Sequence, residues 1–159
     1  MDEILRLLEQ DARMPIERIA TLTGHAEAEV REMIADAERQ GIIRRYKTVV
    51  DWSRRHSGRV MAFIDVQVTP ARTVGFDDVA EQLYRFPEVR SLYLVSGEYD
   101  LRLIVEGGSL QEVASFVSDK LATIDRIKGT ATHFLLKRYK EDSVPFEEFA
   151  HDGRLAVSP

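Results

Sequence analysis

The chain has 159 residues, 44% hydrophobic and 31% charged, with a net charge of −5, which is enough for one good core or two small ones, since domains mostly run about 50–200 residues. It contains no cysteine, which excludes a disulfide framework and a thiolate metal site and fits a reducing compartment. The N-terminus MDEILRLLEQ opens with acids and no run of about 18 apolar residues occurs anywhere, so neither a signal peptide nor a membrane partner is expected and the location read is cytoplasmic.

Three short helical patterns fill residues 1–43. Ile4, Leu5, Leu7 and Leu8 give the first an apolar face. Pro15 sits where a second helix can start without losing a backbone bond, and Ile16, Ile19, Ala20 and Leu22 are expected to face inward. After a turn at Thr23-Gly24 a longer third helix follows, with Val30, Met33, Ile34 and Ala37 at spacings of three and four and a left-handed stop at Gly41. A short helix, a turn and a longer helix in that order form a helix-turn-helix, whose second helix can lie in a major groove of double-stranded operator DNA. The residues placed nearest the bases are His25, Ala26, Glu27 and Arg31, with Arg39 further along the same helix. Arg31 has two readings: contact with a guanine edge or a phosphate, or ion pairing with Glu27 one turn earlier; Glu27 is itself placed to accept from a cytosine amino group.

Charge is distributed unevenly for a DNA binder. Residues 1–43 carry ten acids against five bases, whereas residues 44–59 carry six bases (Arg44, Arg45, Lys47, Arg54, Arg55, Arg59) against Asp51 alone, with His56 a further possible donor. Phosphate neutralisation supplies much of the affinity for a duplex, so this basic segment, read as a linker with a strand over residues 44–58, is assigned the phosphate contacts, chiefly through Arg44, Arg45 and Lys47.

From residue 59 the period changes. Val60, Ala62, Ile64, Val66 and Val68 alternate as in a strand, and Phe76, Val79, Ala80 and Leu83 return to helical spacing before Pro87. Two strands, VRSLYLVS and YDLRLIVE, flank a turn at Gly97-Glu98; Ser109 and Glu112 form a capping box for the helix SLQEVASFVSDKLATI; and GTATHFLLKRYK makes a long last strand. The order strand-helix-strand-strand-helix-strand is the ferredoxin-like βαββαβ arrangement over residues 59–142, so the chain is α+β. Met61 and Phe63 stand opposite the alternating valines, so both sheet faces carry apolar groups and self-association through the open face is expected.

Little in the sequence supports catalysis. His25, His56, His133 and His151 are scattered without metal-ligand spacing, no serine sits in a nucleophile elbow, and no glycine-rich phosphate cradle appears. No catalytic residue, metal or cofactor is assigned. His133, mid-strand between Thr132 and Phe134, reads as a packing or interface residue.

The segments PIERIATLTGHAEAEVREMIADAERQGIIRRYKTVVD, FPEVRSLYLVSGEYDLRLIVEG and THFLLKRYKED, in this order and spacing, resemble the Lrp/AsnC (leucine-responsive, feast/famine) family of transcriptional regulators over residues 3–142. The resemblance implies a winged-type helix-turn-helix joined to a regulatory (RAM) domain that binds an effector. It implies dimers built through the regulatory sheets, further assembly to tetramers or octamers, and sensing of free amino acids at contacts between dimers. The loop carrying Gly97, Glu98, Tyr99 and Asp100 matches the family's glycine-acid-x-aspartate signature, and Thr130, Ala131 and Thr132 lie where the family's pocket gains a second wall. The chain departs from the family at His25, where a serine or threonine more often caps the third helix, and in the acidity of that helix.

The loop also makes chemical sense for such a ligand. An amino acid presents an ammonium and a carboxylate, so Asp100 and Glu98 suit the one and free backbone N–H groups around Ser96 and Gly97 the other, with Leu94, Tyr99 and Thr132 as walls. The plainer reading is a hairpin turn with Asp100 bonded to its own backbone. Two rival functions share the architecture: a sirohaem-decarboxylase-like enzyme, and a stand-alone sensing module that does not grip DNA. The tail, residues 143–159, carries no motif; Phe146 and Phe149 are its candidates for packing on a neighbour.

Overall fold

Residues 1–55, 58–70 and 75–146 are described by the structure, a computed structural model. His56, Phe149 and His151 lie outside them. The chain divides into two compact units that meet at Val50 and Asp51, inside the basic segment. No helix among the described residues is long and apolar enough to cross a membrane.

The first unit holds α1 (Asp2–Gln10), α2 (Ile16–Thr23) and α3 (Glu27–Arg39). Ile4, Ile19, Ala20 and Val30 form its core, with Leu7, Leu8, Met14, Ile16, Met33 and Ile34 packed around them. Leu22, expected inside, is 52% exposed; it lies beside the stripe of Ile16, Ile19, Ala20 and Thr23 rather than on it. The end of α3 is a complete Schellman motif: the Ile42 N–H donates to Ala37 O at 2.9 Å and the Gly41 N–H to Glu38 O at 3.0 Å, with Gly41 at φ +70°.

No strand follows α3 in the described part of the linker, contrary to expectation; the chain runs on without a ladder partner to a single 3₁₀ turn at Trp52–Arg55. A strand needs a neighbouring backbone to satisfy its amide groups, and among the described residues no strand pairs with this segment.

The second unit is a four-stranded antiparallel sheet in the order β2 (Val89–Leu94), β3 (Leu101–Gly107), β1 (Val60–Val68), β4 (Ile127–Phe134). One face packs against α4 (Asp77–Tyr84) and α5 (Leu110–Ser115). Ala62, Ile64, Val66 and Val68 meet Val79 and Leu83 from α4, Leu101, Leu103 and Val105 from β3, and Val113, Phe116 and Leu121 in one core. This is the expected βαββαβ unit, and the alternation along β1 sets which face is buried.

Three element ends differ from the sequence reading. The helix after Ser109 is α-helical only to Ser115, then widens to a π turn at Phe116–Lys120 and tightens to a 3₁₀ turn at Leu121–Thr123; the wide turn keeps Phe116 in the core while Lys120 Nζ bonds Glu88 at 2.5 Å. The expected capping box is offset by one residue, since the Ser109 hydroxyl accepts from the Glu112 N–H but Glu112 Oε2 accepts from the Gly108 N–H. The last strand stops at Phe134; the chain then turns back through a small hairpin of β5 (Lys140–Glu141) and β6 (Val144–Pro145). The described start of the tail therefore folds on its own chain, with Phe146 under the Arg138 guanidinium.

Candidate functional site

The loop from α2 to α3 carries His25 and Ala26, and α3 carries Glu27, Arg31 and Arg39, all at the surface of the first unit. Arg31 lies 3.5 Å from Glu27 and 3.7 Å from Glu17, and Arg39 lies 3.1 Å from Asp36. These pairs are exposed and worth about 0–1 kcal/mol each, weak enough to be exchanged for a phosphate or a base. The residue capping α3 is Ala26 and not His25, as the sequence had suggested. Alanine has no side-chain acceptor; Glu29 Oε2 nevertheless accepts from the Ala26 N–H at 3.0 Å, and His25 Nδ1 stands 3.7 Å from the same oxygen. A serine at position 26 would add the missing acceptor, so Ala26→Ser is expected to stabilise the first unit by about 0.5–2 kcal/mol in urea unfolding. An unchanged midpoint would show that Glu29 alone suffices.

The start of the basic segment is fastened to α3. Beyond the Schellman bonds, the Tyr46 hydroxyl donates to Glu38 Oε1 at 2.8 Å, and partial burial together with that carboxylate pushes the Tyr46 pKa up. Arg44, Arg45 and Lys47 are exposed. Further along, Arg54 is held by Asp51 at 3.1 Å and Arg59 by Glu106 at 3.0 Å, with the Arg59 guanidinium 4.1 Å from the Trp52 ring centre. The basic run thus splits in two: Arg44, Arg45 and Lys47 fall in the first unit with α3, and Arg54 and Arg59 in the second.

In the second unit the register Leu94↔Leu101 makes residues 95–100 a loop, wider than the turn expected at Gly97-Glu98. It is closed by Val95 N–H to Asp100 O at 2.8 Å and tied to β1 by Asp100 N–H to Val66 O at 3.0 Å. Asp100 Oδ2 accepts from the Val68 N–H at 2.8 Å, so the carboxylate bonds the neighbouring strand, neither its own turn nor open solvent alone. Ser96, Gly97 and Glu98 are exposed, Tyr99 is half-buried, and Leu94 is 63% exposed. Gly97 at φ +136° adopts a conformation that other residues rarely take.

Thr130 pairs with Val66, Ala131 with Asp65 and Thr132 with Ile64. The loop end and Thr130 therefore flank β1 at the same residue, on opposite edges of one strand. Two concavities of about 400 Å³ lie elsewhere: one beneath α5, lined by Glu88, Val105, Phe116 and Lys120 among others, and one on α3 beside Met1 and His25.

One cluster escaped the sequence reading. On the open sheet face Asp65, with its side chain 5% exposed, accepts two bonds from Arg102, at 2.6 and 2.8 Å, and lies 3.6 Å from His133 Nε2. The Arg102 guanidinium holds the Asp65 carboxyl below the usual carboxylate range against the opposing pull of burial. Its signal in the sequence is an acid at an open-face position of β1 with an arginine at the matching position of β3, and only the register connects them. His133 therefore lies on the open face.

Comparison with known proteins bears on the whole chain. Residues 3–44 match a winged helix-turn-helix DNA-binding model and residues 61–145 the Lrp/AsnC ligand binding domain. The HTH-type transcriptional regulator YugG of Bacillus subtilis is 48% identical over 99% of this chain and 95% of its own length. The regulator FL11 of Pyrococcus furiosus is 28% identical over 87% of this chain and 89% of its own. Among solved structures, a Neisseria meningitidis transcriptional regulator crystallised with L-Met superposes with a TM-score of 0.71 at 24% identity, covering 90% of this chain and 92% of that one. Escherichia coli AsnC gives a TM-score of 0.68 at 22% identity, covering 87% and 91%. These relatives are regulators rather than enzymes, which removes the decarboxylase alternative. The reading head, the basic segment fastened to it and the ligand-binding sheet domain make this chain a DNA-binding transcriptional regulator, and it belongs to the Lrp/AsnC family.

Proposed function

We propose that this cytoplasmic regulator binds an amino acid at the 95–100 loop and that the ligand alters how its DNA-binding units are presented to operator DNA. The observation that carries this reading is the Asp100 arrangement: one carboxylate oxygen bonds Val68 N–H and the second remains for an ammonium, beside exposed backbone at Ser96 and Gly97. The L-Met held by the Neisseria regulator supports the ligand class.

Self-association completes the site. Met61, Phe63 and Ile104 share the open sheet face with Asp65 and Arg102, which suits a dimer built sheet to sheet. Leu94 and Leu136, 63% and 95% exposed, favour further contacts that build a tetramer or octamer, with Thr130, Ala131 and Thr132 closing the ligand in. Such a dimer offers two α3 helices to half-sites about 34–36 Å apart or a multiple of that. His25, Ala26, Glu27, Arg31 and Arg39 face the bases and Arg44, Arg45 and Lys47 the phosphates. By linkage, operator DNA then changes amino-acid affinity by the same factor as the amino acid changes DNA affinity.

The test is a thermal-shift screen of the full chain against the common amino acids, with light scattering and operator titration on each hit. One amino acid raising the melting temperature and altering either assembly size or operator affinity is the expected result. A chain that stays monomeric and gains no stability from any of them would overturn the reading.

A further inference from the structure

We propose that Glu32 is a base-reading residue of α3, accepting a hydrogen bond from the amino group of a cytosine in each half-site. The inference rests on α3 being the helix that enters the groove. Val30 and Ala37 are buried, with Met33 and Ile34 partly so, and the opposite side of the helix carries Ala28, Glu32, Ala35 and Arg39 at spacings of four, three and four. Along that stripe the two alanines stand on either side of Glu32 and let a groove wall approach. Glu32 is then the one long side chain at the middle of that stripe.

The other acids of α3 have partners. Glu27 faces Arg31, Glu29 takes the Ala26 N–H, Asp36 takes Arg39 and Gln40, and Glu38 takes Tyr46. Glu32 makes no hydrogen bond or ion pair with the described residues. It also borders the hollow shared by His25, Glu29 and Asp36, yet no such group among the described residues converges closely enough to hold a metal ion.

A carboxylate only accepts hydrogen bonds. Set among phosphates it is repelled, so its place on the docking face is compatible with tight binding only opposite a donor. In the major groove the donors are the amino groups of cytosine and adenine, and adenine sets the N7 acceptor beside its own, which suits an amide better than a carboxylate. Cytosine is the base that remains.

The experiment is selection of duplexes from a randomised pool by the full chain at fixed salt, followed by titration, for wild type, Glu32→Ala and Glu32→Gln. Glu32 is exposed, so both variants keep the fold. Wild type should favour cytosine at one position of each half-site by roughly five- to 150-fold. Glu32→Ala should lose that preference and no other, and Glu32→Gln should move it to adenine. Unaltered preferences in Glu32→Ala, or a uniform gain on every sequence from removing a negative charge, would overturn the proposal while leaving operator recognition in place. Wild type that selects no sequence at all would remove operator recognition and this assignment with it.

Discussion

Replacing Arg44 and Arg45 together by alanine is expected to weaken binding to every duplex by about thirtyfold per reading head near 0.15 M salt, and to flatten the salt dependence by about two counterions. Both guanidinium groups are exposed and make no ion pair with the described residues, so none of those residues competes with a phosphate for them. This separates them from Arg54 and Arg59, which Asp51 and Glu106 already hold. The measurement is fluorescence anisotropy on operator and on random duplex across a range of salt. Phosphate contacts carry no sequence information, so both duplexes should lose affinity alike and the ratio between them should stand. An unchanged slope would take these two residues off the phosphate backbone.

The second large effect is expected at Asp100, where two substitutions separate two jobs. In Asp100→Asn the amide oxygen still accepts from the Val68 N–H, so the tie to β1 survives while the negative charge is lost. Effector affinity should fall roughly ten- to 150-fold, the value of a charge-assisted hydrogen bond, with little change in stability. In Asp100→Ala the partly buried Val68 N–H loses its acceptor, and unfolding should become easier by about 1–3 kcal/mol in addition to the lost response. Calorimetric titration with the amino acid found by thermal shift, beside urea unfolding, distinguishes the cases. Full affinity in Asp100→Asn would take the carboxylate out of the ligand site and leave it as a strand clamp.

How much was legible beforehand depended on how local each cause was. The three helices and the βαββαβ order could be read because burial imposes a period on the sequence, as in Ile19 and Ala20 or in Ala62, Ile64 and Val66. The candidate residues on α3 and on the loop stand out in the sequence because donors and acceptors cluster there, and their roles rest on the proposal above. The extent of the loop was not legible: Val95 looks as strand-like as Tyr93 and Leu94, and what ends the ladder is the register with β3 and the bonds of Asp100 to β1. The same limit hid the pairing of Asp65 with Arg102, residues far apart in sequence that only the register brings together. Leu22 failed for a smaller reason, an apolar residue standing one step beside the stripe. The cap of α3 was misjudged by one residue because histidine and alanine are equally poor at that task.

The bond from Tyr46 to Glu38, with the turn at Gly41, ties the first residues of the basic segment to α3, so on the function proposed above the phosphate contacts and the helix in the groove move together. On that proposal the ligand acts through the distance and angle at which two such heads meet the double helix, so the response should follow the spacing between half-sites more than the quality of either one.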